Sequence, residues 1–249
     1  MKIAVCIKRV PDTEMRFTIA GDGKSIDTAG LKYDLSDFDG YAVEVGLQLA
    51  EKQGGEVVVV SLGPDAVQET LRKALSMGAA SAVQLKADTI PADGFAIAQA
   101  LAADLKDGGY DLILFGRVAT DSGSGTVGPM VAQLLGLPCV TSISQLSIEG
   151  GKGTARRELE GVTEVLEFPL PAVLTIDEGI ARARLPALKG IMAAKKKPLE
   201  VRPAQLGEVR LTVEKLALPT ERAGGRILGE GADTVPELVR LLQNEAKVL

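Results

Sequence analysis

Leu112-Ile-Leu-Phe115-Gly116-Arg-Val-Ala-Thr120-Asp-Ser-Gly123-Ser-Gly125-Thr-Val127-Gly128-Pro-Met130-Val-Ala-Gln-Leu134 passes from an apolar run through a loop of glycines and small hydroxyls into residues at helical spacing. Leu112 to Phe115 has the short continuous apolar character of a strand buried on both faces. Val127, Met130, Val131 and Leu134 recur with the helix period, so a helix is expected from near Thr126. Strand, glycine loop and helix in this order form the basic unit of a parallel α/β sheet.

The unit repeats outward in both directions. Ile3 to Ile7, Val57 to Leu62, Ala82 to Leu85 and Ala172 to Ile176 are further short apolar runs, many of their residues β-branched. Between them, Ala42, Val45, Leu49 and Ala50 share one helical face, as do Leu71, Ala74 and Leu75, and then Ile97, Leu101 and Leu105. Gly63 and Pro64 mark a strand end and helix start, with Pro64 near the first helical position, and Gly78 stands where a helix C-terminal glycine belongs. Alternation of this kind predicts a doubly wound, mostly parallel α/β sheet of Rossmann-like type, with helices on both faces and right-handed crossovers.

Toward the C-terminus the pattern changes. Gln145 to Phe168 alternates around Gly150, Gly151, Lys152 and Gly153, which predicts an antiparallel hairpin excursion. Ala181 to Pro198 reads as a protruding basic loop, and the chain from Pro203 as an arm of weak periodicity ending in a short helix with Val235, Leu238, Leu241 and Leu242 on its apolar face. The resulting division is an α/β domain over 1–183, a loop over 184–200, and a C-terminal arm and helix over 201–249.

Composition excludes several functions. Twenty-eight basic against thirty-three acidic residues give a net charge of −5, and the chain has no Trp, three Tyr and five Phe. It therefore offers neither a basic field nor stacking platforms for nucleic acid. The absence of histidine removes Ser-His-Asp, Cys-His and HExxH chemistry. Two cysteines, Cys6 and Cys139, lie in apolar runs that read as strands, consistent with a reducing cytoplasm. The N-terminal apolar stretch is too short for a signal peptide, and no segment approaches the ~20 apolar residues of a membrane-spanning helix. A cytoplasmic location is expected.

The glycines at 123, 125 and 128 satisfy GxGxxG literally, but Arg117 to Ser122 intervene after the strand, which disfavours dinucleotide binding of the Rossmann kind. Two readings of the loop remain. In one, backbone N–H groups of Gly123 to Val127 converge on a phosphate at the helix N-terminus, aided by the hydroxyls of Ser122, Ser124 and Thr126. In the other, the stretch is a plain strand-to-helix loop with Asp121 or Ser122 as N-cap. Since open parallel sheets bind ligands at the carboxyl ends of their strands, Lys8 to Thr13, Asp34 to Asp39 and Ser61 to Asp65 are expected to converge on the same crevice. Lys8 and Arg9 are candidate phosphate partners or simply a solvated strand exit. Residues 185–200 carry Leu and Met within a basic, Pro- and Gly-punctuated stretch, which suits either a docking element or a connector packed on its own domain.

Several stretches together resemble a known family, the β subunit of electron-transfer flavoprotein. They are Val5-Cys-Ile-Lys-Arg-Val-Pro-Asp-Thr13, Tyr41-Ala-Val-Glu44, Ser61-Leu-Gly-Pro64, Glu69-Thr-Leu-Arg-Lys-Ala-Leu-Ser-Met-Gly-Ala79, the 116–130 loop and Lys189-Gly-Ile-Met-Ala-Ala-Lys-Lys-Lys197. The resemblance implies an adenine-nucleotide-binding α/β fold and a heterodimer in which the α subunit carries most contacts to a redox-active FAD while this chain holds a structural AMP. It places around AMP the residues Cys6, Ser36, Asp37, Phe38, Asp39, Leu62, Gly116, Arg117, Val118, Ala119, Thr120, Asp121, Ser122, Gly123, Ser124, Gly125, Thr126 and Val127. It implies a recognition loop in which Leu188, with Ile191 and Met192, docks acyl-CoA or other flavin dehydrogenases, a quinone oxidoreductase as acceptor, and a C-terminal arm wrapped on the α subunit. This chain departs from many members at Ser36, where they carry Asn, and near Thr13, where some carry an aromatic residue against the flavin. Backbone contacts are what the resemblance carries over.

On this reading the chain is an electron carrier subunit without catalytic residues of its own. A second form within the family is the bifurcating type, in which the β subunit holds a second FAD reduced by NADH. A reading from another class is a stand-alone ATP-binding or hydrolysing protein, against which the lack of a P-loop lysine and of histidine counts.

Overall fold

The computed structural model describes residues 1–221 and 224–249. It divides into a compact unit, Met1–Lys215, and a smaller one, Leu216–Leu249.

The elements of the first unit run β1 (Lys2–Cys6), β2 (Arg9–Pro11), β3 (Tyr33–Leu35), α1 (Asp37–Gln53), β4 (Glu56–Gly63), α2 (Val67–Met77), β5 (Ser81–Lys86), α3 (Gly94–Leu105), β6 (Leu112–Gly116), α4 (Val127–Leu135), β7 (Cys139–Ile143), β8 (Gln145–Glu149), β9 (Lys152–Leu159), β10 (Val162–Pro169), β11 (Ala172–Ile176), α5 (Leu188–Ala194) and β12 (Leu199–Pro203). Seven strands form one parallel sheet in the order β12-β5-β4-β1-β6-β11-β7. The doubly wound parallel sheet expected from the apolar runs is thus what forms. β8, β9 and β10 make the antiparallel excursion, and β2 pairs with β3 in a small antiparallel ribbon.

Alternation along the central strands builds two cores. Ile3, Val5, Val57, Val59, Leu112 and Leu114 point to the face covered by α1 and α2, where Ala42, Val43, Leu71 and Leu75 meet them. Ala4, Cys6, Val58, Val60, Ile113 and Phe115 point to the opposite face, against Ala98, Leu101 and Leu105 of α3 and Val131 of α4. Burying both faces of β1, β4 and β6 explains why these strands read as continuous apolar runs. Truncating a fully buried residue such as Leu114 would cost about 3 kcal/mol.

The chain leaves β1 to build β4 and β5 on one side, then returns through α3 to β6 on the other. The carboxyl ends of β1 and β6 therefore flank the topological switch point, where such sheets hold ligands.

Several details differ from expectation. Pro64 lies in the turn before α2, whose first residue is Val67, rather than near its first helical position. The basic stretch expected as a loop contains the two-turn helix α5, and Leu199–Pro203 continues as an edge strand parallel to β5. Cys139 opens β7 but is exposed, unlike the buried Cys6. The smaller unit holds a short 3-10 turn, Ala232–Thr234, then α6 (Val235–Leu241), with Leu238 and Val239 partly exposed. Among the described residues, no helix is long and apolar enough to cross a membrane.

Candidate functional site

A cavity of about 460 Å³ opens at the switch point, within the usual range for small-ligand sites of roughly 300–1,000 Å³. Part of its lining is apolar, from Leu62 of β4, Ile97 and Leu101 of α3, Phe115 of β6 and Met130 of α4. Much of the rest comes from the loop between Gly116 and Thr126 and from the start of α4.

That loop is shaped by two glycines. A Cβ on Gly116 would sit 2.7 Å from the backbone N of Asp39 and from the Phe38 carbonyl carbon, so the end of β6 can lie against the start of α1 only without a side chain. Gly125 has φ +59°, and a Cβ there would meet the Arg117 carbonyl oxygen at 3.0 Å and Val118 Cγ1 at 3.1 Å. The chain then turns into α4 with Thr126 as N-cap, whose side chain makes no capping bond. The expected Asp121 or Ser122 cap is therefore not made. Asp121 instead pairs with Lys8 at 2.7 Å.

Hydrogen bonding separates the amides of this loop. The N–H of Gly123 donates to the Ala119 carbonyl at 2.8 Å, so it is already satisfied. Among the described residues, the N–H groups of Ser124 and Gly125, in the loop before the N-cap, and of Thr126 and Val127, at the start of α4, have no protein acceptor. They form an anion-ready cluster at the positive end of α4.

Twelve of the eighteen expected nucleotide residues line this cavity: Cys6, Asp39, Leu62, Gly116, Arg117, Val118, Ala119, Ser122, Ser124, Gly125, Thr126 and Val127. Ser36, Asp37 and Thr120 line a second cavity, also about 460 Å³, between the β2–β3 ribbon, α1 and residues 183–186. Ser36 Oγ accepts the Thr120 N–H at 3.3 Å, which ties the glycine loop to the start of α1. Phe38 is covered by the Arg117 guanidinium, 5.0 Å from its ring centre. Asp121 and Gly123 shape the loop from behind, through the bonds already described. Lys8 lines the first cavity, while Val10 to Thr13 line the second. Arg9 reaches neither and stacks on Tyr33 at 3.8 Å.

Asp39 fastens the site. Its Oδ2 accepts the Lys8 N–H at 2.7 Å and its Oδ1 the Gly116 N–H at 3.1 Å, tying the ends of β1 and β6 to α1. Burial pushes its carboxyl up to about 7, against the pull of those two donors. Burial also raises the Cys6 thiol well above its ordinary value, so it behaves as an apolar wall.

The stretch carrying Leu188, Ile191 and Met192 is held at both ends while its apolar residues face solvent. Before it, Arg184 Nε donates to buried Glu44 at 2.7 Å and Nη1 to Glu51 at 2.6 Å. After it, Arg72 donates to the carbonyls of Ala194 and Lys197 at 2.6 and 2.7 Å. Lys197 in turn donates to those of Leu75 and Ala79 at 2.9 and 2.6 Å. Between these anchors Leu188 is 75% exposed, Met192 65% and Ile191 46%.

The model of the electron transfer flavoprotein domain matches residues 24–206. Proteins described as electron transfer flavoprotein subunit beta align along the full chain. Those of Bacillus subtilis and Syntrophomonas wolfei are each 40% identical, covering 100% of this chain and 100% and 98% of their own lengths. The human protein of that description is 34% identical over 100% of this chain and 99% of its own. The chain belongs to the electron transfer flavoprotein β-subunit family.

As a member of that family it is a component of an electron carrier. The sequence did not announce a further part of the lining, Ile90 to Phe95 and Leu211, where Gly94 lies against Thr126 and Val127 at the start of α4. Ile90, Pro91 and Ala92 carry no side-chain chemistry that would single them out. Asp93 does carry a readable signal, an N-cap carboxylate immediately before the Gly94-Phe95 start of α3.

Proposed function

We propose that this chain holds AMP in the switch-point cavity as a structural nucleotide and docks electron-donating dehydrogenases through Leu188, Ile191 and Met192. Electrons then pass through a FAD carried mainly by an α subunit to an acceptor such as a quinone oxidoreductase.

The observation that carries the reading is the run of unpaired amides from Ser124 to Val127 among residues that line a cavity with an apolar share of Leu62, Leu101, Phe115 and Met130. A phosphate suits the first and an adenine ring the second. Lys8 and Arg117 line the same space, yet each is already paired, with Asp121 at 2.7 Å and Asp177 at 3.1 Å. The amides and the α4 dipole therefore offset most of the phosphate's desolvation. The nucleotide's place between β1, β6 and α1 suits a role in assembly, because it would bridge elements that are far apart in sequence.

The docking part rests on the exposure of Leu188 on a segment anchored on both sides. An apolar residue held in place at the surface loses little entropy when a partner covers it. FAD supplies the redox chemistry when it is bound; this chain's residues bind, orient and exclude water.

The division of labour is tested by expression. The chain alone should be colourless and inactive, and co-expression with an α subunit should yield a yellow heterodimer that accepts electrons from a dehydrogenase. Stoichiometric flavin held tightly by the isolated chain would contradict it.

A further inference from the structure

The segment after β12 runs along the start of α3 and reaches the cavity at Leu211. Ala204 still donates to the Lys86 carbonyl at 2.9 Å, and Gly207 donates to that of Ala96 in the first turn of α3 at 3.4 Å. The N–H of Arg210 then donates to Asp93 Oδ2 at 2.7 Å, and its guanidinium lies 5.8 Å from the centre of the Phe95 ring. The next residue, Leu211, lines the cavity and is 51% exposed.

Asp93 is buried, and its two oxygens are divided between two tasks. Oδ1 accepts the Phe95 N–H at 2.9 Å, which caps α3. Oδ2 holds the crossing segment. The donor from Arg210, followed by that from Phe95, keeps the carboxyl below its ordinary value. Both bonds are therefore charge-assisted at neutral pH.

We propose that residues 204–211 form a strap over the bound nucleotide, latched by Asp93 and closed by Leu211, so that these two residues set the rate at which nucleotide leaves. The inference rests on the reading of the cavity as a nucleotide site. A nucleotide there is bounded elsewhere by the ends of β1, β4 and β6, by α3 and α4, and by the loops 90–93 and 116–126. The strap is fixed to α3 and its cap by two backbone donations, to Ala96 and Asp93. Most of its residues are exposed, so it opens at low cost. It also leads directly to the unit Leu216–Leu249.

The test uses the heterodimer. Its nucleotide is first identified by mass spectrometry after denaturation, and release is then followed as exchange of the labelled form of that compound against an excess of the unlabelled one. Asp93→Asn keeps a side-chain oxygen for the α3 cap but presents an NH₂ to the Arg210 N–H, so it unlatches the strap. Release should accelerate by roughly ten- to a hundredfold, the worth of a charge-assisted hydrogen bond. Leu211→Ala breaks no hydrogen bond and removes a half-exposed side chain, so it should leave the melting temperature unchanged while release accelerates by about tenfold. Wild-type release from Leu211→Ala overturns the strap, whatever Asp93→Asn does. A wild-type heterodimer without nucleotide overturns the nucleotide reading and the strap with it, whereas unchanged release of a nucleotide that is present overturns the strap alone.

Discussion

The carboxylate of Asp39 accepts the backbone N–H of Gly116 at 3.1 Å, fixing the first turn of α1 against the end of β6 at the wall of the cavity. With Lys8 on its other oxygen at 2.7 Å, this one side chain sets the spacing of the two strand ends between which the ligand space opens.

Asp39 makes stability depend on pH in a window where few other side chains titrate, because the chain has no histidine. Burial raises its carboxyl from 3.8 to about 7. Between those values the folded chain retains a proton that the unfolded chain has released, so stability falls as pH rises through the window. The slope is at most about 1.4 kcal/mol per pH unit. Urea unfolding of wild-type and Asp39→Asn heterodimers at pH 5 and pH 7 should show this slope only in the wild type. Equal slopes would mean that Asp39 is ionised throughout.

Gly125→Val places a β-branched residue at φ +59° with its Cβ against the Arg117 carbonyl. Nucleotide content, measured on the purified heterodimer, should fall to near zero and assembly yield with it, while direct flavin reduction in the remaining dimer persists. Gly123→Ala is the contrast, because nothing lies within 4 Å of the added methyl and the Gly123 amide is already satisfied by Ala119. It should cost about 1 kcal/mol of backbone strain and retain nucleotide. Equal losses in the two variants would remove the crowding argument.

Leu188→Ala should slow electron transfer from a dehydrogenase at limiting concentration by roughly 30-fold, the effect of losing a 2 kcal/mol anchor. Flavin content and melting temperature should not change, since the residue is 75% exposed. A drop of several degrees in melting temperature would mean that Leu188 packs on its own subunit.

Arg184→Ala leaves Glu44, which is 4% exposed, with only Gln48 as a side-chain partner at 2.8 Å. A loss of about 2 kcal/mol is expected at pH 7. Burial raises the Glu44 carboxyl, but the Arg184 hydrogen bonds outweigh this and leave it below 4.5. The stability from the pair is therefore present above that value and is lost as pH falls through the lower folded value. The gap between wild type and variant should narrow in acid, as measured by denaturant midpoints at pH 7 and pH 4. An undiminished gap in acid would assign the effect to packing of the Arg184 stem.

The central sheet was legible because β1, β4, β5, β6 and β11 are buried on both faces and so carry unbroken apolar runs. β12 was not, because Leu199-Glu-Val-Arg-Pro203 is an edge strand with three of its five residues exposed, and its identity depends on pairing with β5. α5 was hidden by its shortness and by flanking prolines at 186 and 198. The glycine loop announced one wall of the cavity. The lining by Leu211 depends on Asp93 meeting Arg210 across 117 residues of chain, which no local pattern encodes. Neither did spacing reveal that Ser36, Asp37 and Thr120 would turn toward a second cavity, since that follows from the side of α1 that the sheet leaves open.

A structural AMP in the switch-point cavity, beside a single redox-active flavin in the partner subunit, is the proposal from which the nucleotide predictions follow. Mass spectrometry of the nucleotides released on denaturing the purified heterodimer tests it most directly. One AMP and one FAD per heterodimer is the predicted result. Two FAD and no AMP, together with direct reduction of the dimer by NADH, would contradict it.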